Sequence, residues 1–338
     1  MDAEKRTLVA AHWKSNYRAV ETEDGRWEVE RILPDQDVRC LEMDRRQSAV
    51  LYAGTQGNGV LRSDDRGITW RAAGLEGLVV KSISCSPVEP NTLYAGTKPA
   101  AIFVSRNGGE SWTELESFQD IPGRWYWWSP AEKPFKAYVQ SIGLSPSDPQ
   151  TIVAGVEWGA VARSTDGGKS WSGHLKGALR DCHTLMFHYS DGDWVYEAGD
   201  GGAALSRDGG GSWTRPKKGL DRRYGWACAA DPGKPEVWYV SVSPGFSGRH
   251  FQPAGHVDGQ AETYIFRKAG GAAWEKLSGG LPQPLDYMAY ALVTDPHNSG
   301  HLYAGLSSGE VWFSEDYGDR WDKLPLNLAG VRNMLLVG

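Results

Sequence analysis

The chain has 338 residues, of which 40% are hydrophobic and 23% charged, a composition typical of a soluble globular protein with an ample core. Lys and Arg total 36 against 42 Asp and Glu, so a net charge of −6 leaves no basic surplus for binding nucleic acid. No apolar run approaches the roughly 20 residues of a membrane-spanning helix, and the charged start has no signal-peptide core, so a cytoplasmic protein is expected. The 42 Gly and 16 Trp beside only 8 Phe favour many strands and turns.

A short motif, Ser-x-Asp-x-Gly-x-x-Trp, recurs along the chain. Its Asp accepts backbone hydrogen bonds inside a tight turn, its Gly supplies a positive φ, and its Trp places an apolar body in the core. Alternating residues flank the copies, so each motif is predicted to be the turn of a β-hairpin. In chain order the clean copies, one with Asn for Asp, begin at Ser63, Ser105, Ser164, Ser206 and Ser314, and decayed copies end at Trp27 and Trp274.

A second pattern precedes each hairpin and completes a unit of four short strands, a to d, with the motif between strands c and d. The a and b strands are predicted, in chain order, within residues 38–55, 80–97, 139–156, 182–200, 225–242 and 289–306. The last segment, 331–335, supplies a strand a alone, and the segment from residue 8 to residue 27 and beyond supplies strands b to d. A seventh unit shared by residues 1–37 and 331–338 would close the ring and hide its edge strands.

The motif is similar to that of the Asp-box, or bacterial neuraminidase repeat, propellers, and the whole chain resembles their seven-bladed members. These include sortilin-like receptors, xyloglucan-active glycoside hydrolases and photosystem II assembly factors, while sialidases carry the motif on six blades. The resemblance implies an all-β, seven-bladed β-propeller of four-stranded antiparallel blades, with residues 1–338 as one domain. It says little about activity, because one propeller hosts many functions. The sialidases place the working site at the channel mouth, on the face opposite the motif turns.

On that face the aligned a strands contribute one residue per blade to the channel mouth. In ring order these residues are Arg39, Lys81, Gln140, His183, Trp226, Tyr290 and Arg332. Three cations fall on adjacent blades, and like charges about 8 Å apart repel by roughly 2 kcal/mol per pair at an effective dielectric constant of about 20. Such a cluster requires an anion, either an internal carboxylate such as Asp37 or Asp181 or a ligand carboxylate, phosphate or sulfate.

Further candidates come from the ends of the b strands and from two overlong connections, 113–139 and 242–265. They are His12, Trp13, Glu157, Trp158 and Asp200 at the strand ends, and Trp127 and His250 in the connections. The candidate catalytic groups are His183, Glu157, Asp200 and Tyr290. Glu157 and Asp200, on adjacent blades, are the candidate carboxylate pair of a glycosidase, although Asp200 alternatively only shapes a turn. The histidine and cysteine spacings match no standard metal motif, so no metal or other cofactor is expected.

The dense aromatic residues of this face indicate a ligand groove or a partner surface, or alternatively a lid over the channel. We therefore expect a propeller that binds, and acts on, a small or glycan-like anionic ligand with hydrolase- or lyase-like chemistry. A strict sialidase is not expected, because its third arginine is not apparent and residues 31–34 only approximate its Arg-Ile-Pro signature. The alternative is a non-catalytic platform for a protein or glycan. A deep pocket holding His183 beside a carboxylate would favour the enzyme, and full pairing of Arg39 and Arg332 with protein carboxylates would favour the platform.

Overall fold

The computed structural model of the chain describes residues 6–245 and 253–338. Its strands form seven antiparallel sheets, five with four strands and two with three. The first strand of each sheet contacts the first strands of both neighbouring sheets, so seven inner strands surround one central channel. The all-β, seven-bladed β-propeller predicted from the repeat is therefore confirmed. No helix in the two described ranges is long and apolar enough to cross a bilayer.

The strands are numbered in chain order and the blades by their inner strands. The first three strands, which belong to blade 7, are β1 (Thr7–His12), β2 (Ser15–Glu21) and β3 (Trp27–Ile32). Blades 1 and 2 are β4 (Val38–Met43), β5 (Leu51–Thr55), β6 (Val60–Ser63) and β7 (Arg71–Ala72), then β8 (Val79–Cys85), β9 (Leu93–Lys98), β10 (Ile102–Ser105) and β11 (Thr113–Glu114). Blades 3 and 4 are β12 (Val139–Leu144), β13 (Ile152–Val156) and β14 (Val161–Ser164), then β15 (Cys182–Phe187), β16 (Val195–Gly199) and β17 (Gly202–Ser206).

The remaining strands complete the ring. Blades 5 and 6 are β18 (Tyr224–Asp231), β19 (Lys234–Ser243), β20 (Tyr264–Ala269) and β21 (Glu275–Lys276), then β22 (Ala289–Thr294), β23 (Leu302–Leu306), β24 (Val311–Ser314) and β25 (Asp322–Lys323). The inner strand of blade 7 is β26 (Asn333–Val337). Three short 3-10 helices, Glu116–Asp120, Arg124–Tyr126 and Ala254–His256, lie in the two long connections.

The two ends of the chain meet in blade 7, as the sequence predicts. Strand β26 pairs antiparallel with β1, from Thr7 opposite Val337 to Ala11 opposite Asn333. Val337 and Met334 are buried with the apolar residues of β1. Strand β26 thus supplies the inner strand that β1 to β3 lack.

Blades 3 and 4 depart from the expected four strands at their outer edges. In blade 3 the Arg163 N–H donates to the Ser172 hydroxyl (2.9 Å) rather than to a backbone carbonyl, which interrupts the ladder. In blade 4 only Leu205 and Thr214 exchange backbone hydrogen bonds, both 2.9 Å long. Pro216 follows two residues later and has no N–H to extend the pairing.

The motif turns share one hydrogen-bonding pattern, shown here for the copy in blade 4. Ser206 Oγ donates to Asp208 Oδ1 (2.7 Å) and accepts from the Gly210 N–H (2.9 Å). Asp208 Oδ1 in turn accepts from the Ser212 N–H (2.8 Å). The Trp213 indole donates to the Gly210 carbonyl (3.0 Å), and its ring is buried. The clean copies are thus closed by their own Ser and Asp, or Asn107 in blade 2. The indole bond is not shared by all of them, because Trp171 Nε1 has no hydrogen-bond partner among the described residues.

A β-bulge interrupts the inner strand at the same point in six blades. The register of the inner pair skips Arg39, Lys81, Gln140, His183, Trp226 (with Ala227) and Tyr290. A bulge leaves a residue outside the regular ladder and re-aims its side chain. The skipped positions are the same ones that the aligned repeats place at the channel mouth.

Candidate functional site

A cavity of about 1090 Å³ occupies the central channel. Its lining extends from the bulged ends of the inner strands to their opposite ends, where Glu42 and His188 lie. The predicted site residues that line it are His12, Trp13, Arg39, Lys81, Gln140, Glu157, Trp158, His183, Trp226, Tyr290 and Arg332. The fold thus brings most of the residues selected from the sequence into one cavity.

Two predicted residues are placed elsewhere. Asp200 and Trp127 line a second, neighbouring cavity instead of the central one. The Asp200 carboxylate turns towards Arg223, whose guanidinium nitrogen lies 2.8 Å away. The expected Glu157–Asp200 carboxylate pair is consequently not assembled in the central cavity. His250 falls outside the described residues.

Glu132, in the connection between blades 2 and 3, compensates the cations on one side of the mouth. Its carboxylate contacts Lys81 Nζ and lies 3.3 Å from Arg39 Nη1 and 3.5 Å from Lys98 Nζ. Arg39 Nε also lies 2.9 Å from Asp37 Oδ1. Burial alone would raise the pKa of Glu132. The hydrogen bond from Lys81 and the surrounding cations outweigh this effect and lower the pKa. Glu132 and Asp37 thus offset two of the three cations on this side of the mouth, Arg39, Lys81 and Lys98.

Arg332 shares the ring of Trp13 with Arg39, whose guanidinium carbon also lies 4.4 Å from its centroid, but among the described residues Arg332 has only aromatic contacts to its charge. Its guanidinium carbon lies 4.4 Å from the ring centroid of Trp13, 4.5 Å from that of Tyr290 and 5.4 Å from that of Trp226. Across residues 6–245 and 253–338 it forms no ion pair with a carboxylate. Cation–π contacts stabilise the charge without neutralising it. Arg332 is thus a cation of the cavity without a carboxylate partner in the described chain.

Glu157, Asp181 and His183 form an acid–base group on the inner ends of blades 3 and 4. His183 Nδ1 donates to the Gly225 carbonyl (2.6 Å), and its Nε2 lies 3.6 Å from Asp181 Oδ1. Burial lowers the pKa of His183, but Asp181 and Glu157 outweigh that effect and raise it. Burial raises the pKa of Glu157 to about 7, while its carboxylate accepts a hydrogen bond from Ser129 (2.9 Å). The cavity therefore holds a carboxyl group that exchanges its proton near neutral pH.

A hydrogen-bonded chain of Tyr224, His256 and Tyr290 lines the other side of the cavity. Tyr224 Oη lies 2.7 Å from His256 Nε2, and His256 Nδ1 lies 2.5 Å from Tyr290 Oη. Burial lowers the pKa of His256 to about 3, so its ring is neutral at physiological pH. The Tyr290 hydroxyl also lies 3.3 Å from the Gly255 carbonyl, and the ring nitrogen of His256 that carries the hydrogen sets the direction of both tyrosine bonds. The chain fixes the tyrosine hydroxyls beside Arg332.

Sequence reasoning missed Glu132 and the role of His256 in this cavity. Both lie in the overlong connections, 113–139 and 242–265, where no repeat aligns one residue with another. The unusual length of these connections was the signal that they contribute to the site. Which of their side chains enters the cavity depends on loop conformation, which the repeat does not determine.

The titratable groups of the cavity do not converge on a metal centre. Within the two described ranges no group of three or more His, Cys, Asp or Glu side chains is arranged to hold a metal ion.

Comparison with known proteins gives two kinds of relative. No protein-family profile matches the chain. A xyloglucanase from Paenibacillus sp. is 28% identical over 222 residues, which cover 54% of this chain and 21% of that enzyme. The photosystem II assembly lipoprotein Ycf48 from Synechococcus sp. (strain CC9902) is 25% identical over 239 residues, or 68% of this chain and 57% of that protein. The matched regions thus span about a fifth and somewhat more than half of these relatives.

Solved structures show the same fold. An ancestral GH74 enzyme superimposes with a TM-score of 0.63 at 20% identity, over 88% of this chain and 38% of that one. Ycf48 bound to a D1 peptide gives a TM-score of 0.58 at 14% identity, over 99% of this chain and 97% of that one. The chain is a seven-bladed β-propeller, similar to an enzyme of family GH74 and to the assembly protein Ycf48.

Proposed function

We propose that this chain is an Asp-box propeller that binds a small or glycan-like anionic ligand at the channel mouth, with Arg332 as the principal contact. The observation that carries the proposal is the aromatic enclosure of Arg332 in the absence of a carboxylate partner within the described residues. Arg39 and Lys81 each contact Glu132, whereas Arg332, which shares the ring of Trp13 with Arg39, forms no ion pair with a carboxylate in the described chain.

The geometry favours a carboxylate ligand. Trp13 and Tyr290 contact the guanidinium of Arg332 through their rings. This arrangement leaves N–H donors for a carboxylate, which a guanidinium binds through two parallel hydrogen bonds. Trp226 supplies an apolar surface beside the same position. One relative, Ycf48, has been solved with a bound peptide, a class of ligand that carries carboxylates.

Isothermal titration calorimetry with galacturonate, N-acetylneuraminate and succinate tests the proposal. We expect at least one of these carboxylates to bind and Arg332→Gln to weaken its binding by about tenfold or more, corresponding to roughly 1.4 kcal/mol. Arg223→Gln is the matched control, because Arg223 is a largely exposed cation paired with Asp200 outside the central cavity. If no carboxylate binds the wild type, or if both variants weaken binding equally, the proposal is wrong.

A second candidate function is catalysis on the bound ligand, with Glu157 as the general acid. It is supported by the raised pKa of Glu157, about 7, which keeps a proton available at neutral pH. Asp181, which lines the same cavity, would be the second carboxylate in place of Asp200. His183, between these groups, would respond to changes in their charge.

A further inference from the structure

A second cavity, of about 850 Å³, lies beside the central channel, and Trp158 and Asp181 line both. One wall is aromatic, formed by Tyr126 and Trp127 of the connection between blades 2 and 3. The other wall carries His174, Arg180 and Arg215 from blades 3 and 4. A volume of this size is within the range of small-molecule sites, about 300–1,000 Å³.

The two arginines of this cavity are held by backbone carbonyls. Arg215 Nε donates to the Gly177 carbonyl (2.8 Å), and its Nη2 contacts the Ala178 carbonyl. Arg180 has a single long contact, from Nη1 to the Gly159 carbonyl (3.4 Å). Neither arginine forms an ion pair with a carboxylate in the described part of the chain. Carbonyls orient a guanidinium but do not cancel its charge, so neither arginine is paired directly with a carboxylate.

His174 adds a third hydrogen-bond donor. Its Nδ1 accepts a hydrogen bond from the Val161 N–H (3.2 Å), so in the neutral ring the hydrogen lies on Nε2. Burial, together with the charges of Arg180 and Arg215, lowers the pKa of His174 to about 4. The ring is therefore neutral near pH 7. It offers an N–H beside the two guanidinium groups.

The carboxylates of the second cavity do not cancel these charges. Asp200 is paired with Arg223 through hydrogen bonds of 3.1 and 2.8 Å. Asp181 lies beside His183, at 3.6 Å, on the wall shared with the central cavity. The positive charge of Arg180 and Arg215 consequently dominates the opposite wall.

We propose that this second cavity is a separate binding site for an oxyanion carried on a ring, such as a ring-bearing phosphomonoester or carboxylate. Arg180, Arg215 and His174 Nε2–H would hold the oxyanion, and Trp127 with Tyr126 would contact the ring. The proposal does not depend on ligand binding at Arg332, because the two cavities use different cations.

The test is isothermal titration calorimetry of the full chain with phenyl phosphate, glucose 6-phosphate, benzoate and inorganic phosphate. We expect phenyl phosphate or glucose 6-phosphate to bind about tenfold or more tightly than inorganic phosphate, because the ring contacts the aromatic wall. The benzoate arm distinguishes a carboxylate from a phosphate as the preferred oxyanion. Arg180→Gln should weaken binding of the ring-bearing anion by about tenfold, and Arg71→Gln, at an exposed arginine paired with Asp64 away from the lining of both cavities, should leave it unchanged.

Arg180→Gln is the primary variant because Arg180 contributes only one long intramolecular contact, so its loss does not endanger the fold. Trp127→Leu tests the ring contact, with near-ultraviolet circular dichroism as the check that blade 3 remains folded. Absence of binding by every ring-bearing anion, equal affinity for inorganic phosphate and the ring-bearing anions, or equal weakening by Arg71→Gln and Arg180→Gln would each overturn the proposal.

Discussion

At the scale of single residues, burial sets the protonation of Glu157 and thereby the electrostatics of the central cavity. Its carboxyl has a pKa of about 7, raised by burial. Below that pH the group is neutral and tolerates a nearby anion, whereas above it the carboxylate repels one. His183, whose pKa is also raised, loses its positive charge as the pH rises. Ionisation of Glu157 and loss of the proton from His183 therefore both weaken anion binding as the pH rises.

We predict that the affinity for a carboxylate ligand falls as the pH rises through about 7, by about tenfold between about pH 6 and about pH 8, because a new negative charge appears in a partly desolvated cavity. Glu157→Gln keeps the neutral form at all pH values and should remove most of this decrease, leaving the part due to His183. Calorimetric titrations of the wild type and of this variant between about pH 6 and about pH 8 measure the change in affinity. A wild-type affinity that is constant with pH would contradict the prediction.

The sequence predicts the site residues that occupy equivalent positions in the repeat. It does not predict the loop residues that pair with them. Arg39, Lys81 and Arg332 are predicted at the mouth because equivalent strands place equivalent positions there, and all three line the cavity. Glu132, whose carboxylate contacts both Arg39 and Lys81, lies in a connection without a repeated partner. Asp200 was assigned from its strand end, but its side-chain direction depends on Arg223.

At the scale of elements, the Ser-x-Asp-x-Gly-x-x-Trp turn couples local hydrogen bonds to packing between blades. In blade 4 the turn glycine, Gly210, has φ of +85°, and an added Cβ would lie 2.6 Å from Val153 Cγ2 of blade 3. Gly25, in the decayed copy of blade 7, has a similar φ of +77°, with no atom within 4 Å of an added Cβ. A comparison of substitutions at these two glycines therefore separates the cost of a left-handed backbone from the cost of crowding by a neighbouring blade.

We predict that Gly210→Ala lowers the free energy of unfolding by about 3 kcal/mol, whereas Gly25→Ala lowers it by about 1 kcal/mol, because only the first adds overpacking to the cost of a left-handed backbone. Urea denaturation of the two variants and the wild type measures the difference. An equal loss in both variants would show that the turn does not depend on contact between the blades.

Strand positions follow from the repeat, but strand irregularities do not. The inner strands begin close to the predicted positions, because alternation and turn residues mark their ends. The β-bulges cannot be recognised in the repeat pattern. One additional residue in a short strand changes the distance between repeats by the same amount as one additional loop residue. The incomplete outer edge of blade 3 likewise depends on one hydroxyl, that of Ser172, which replaces a backbone acceptor.

At the scale of the whole molecule, the ring is closed by five residue pairs between β1 and β26. Without β26, the inner edge of β1 would be exposed, and blade 7 would lose the contacts of its inner strand with blades 1 and 6. Unpaired strand edges promote association between chains. The last six residues therefore stabilise the edge of β1 and the contacts with blades 1 and 6, in addition to their own strand.

We predict that deletion of residues 333–338 causes loss of cooperative thermal unfolding and the appearance of oligomers. The control is a permuted chain in which a short Gly-Ser linker joins the ends of β26 and β1 and new ends lie between Gly270 and Gly271, where an added Cβ would meet nothing. This control should keep the oligomeric state of the wild type and a Tm close to the wild-type value. Circular dichroism and size-exclusion chromatography make the comparison. A deletion variant that melts like the wild type would contradict the proposed importance of closure.

The bulged positions of the inner strands have a consequence for how such a molecule acquires new specificities. A residue in the regular ladder has a cross-strand neighbour that restricts which side chains can replace it. A residue that the register skips has no such neighbour, although the strand on either side still fixes its backbone. Six blades repeat this arrangement around one opening. Evolution can therefore vary the chemistry of the opening one sector at a time, while the pairing that holds the disc together stays the same.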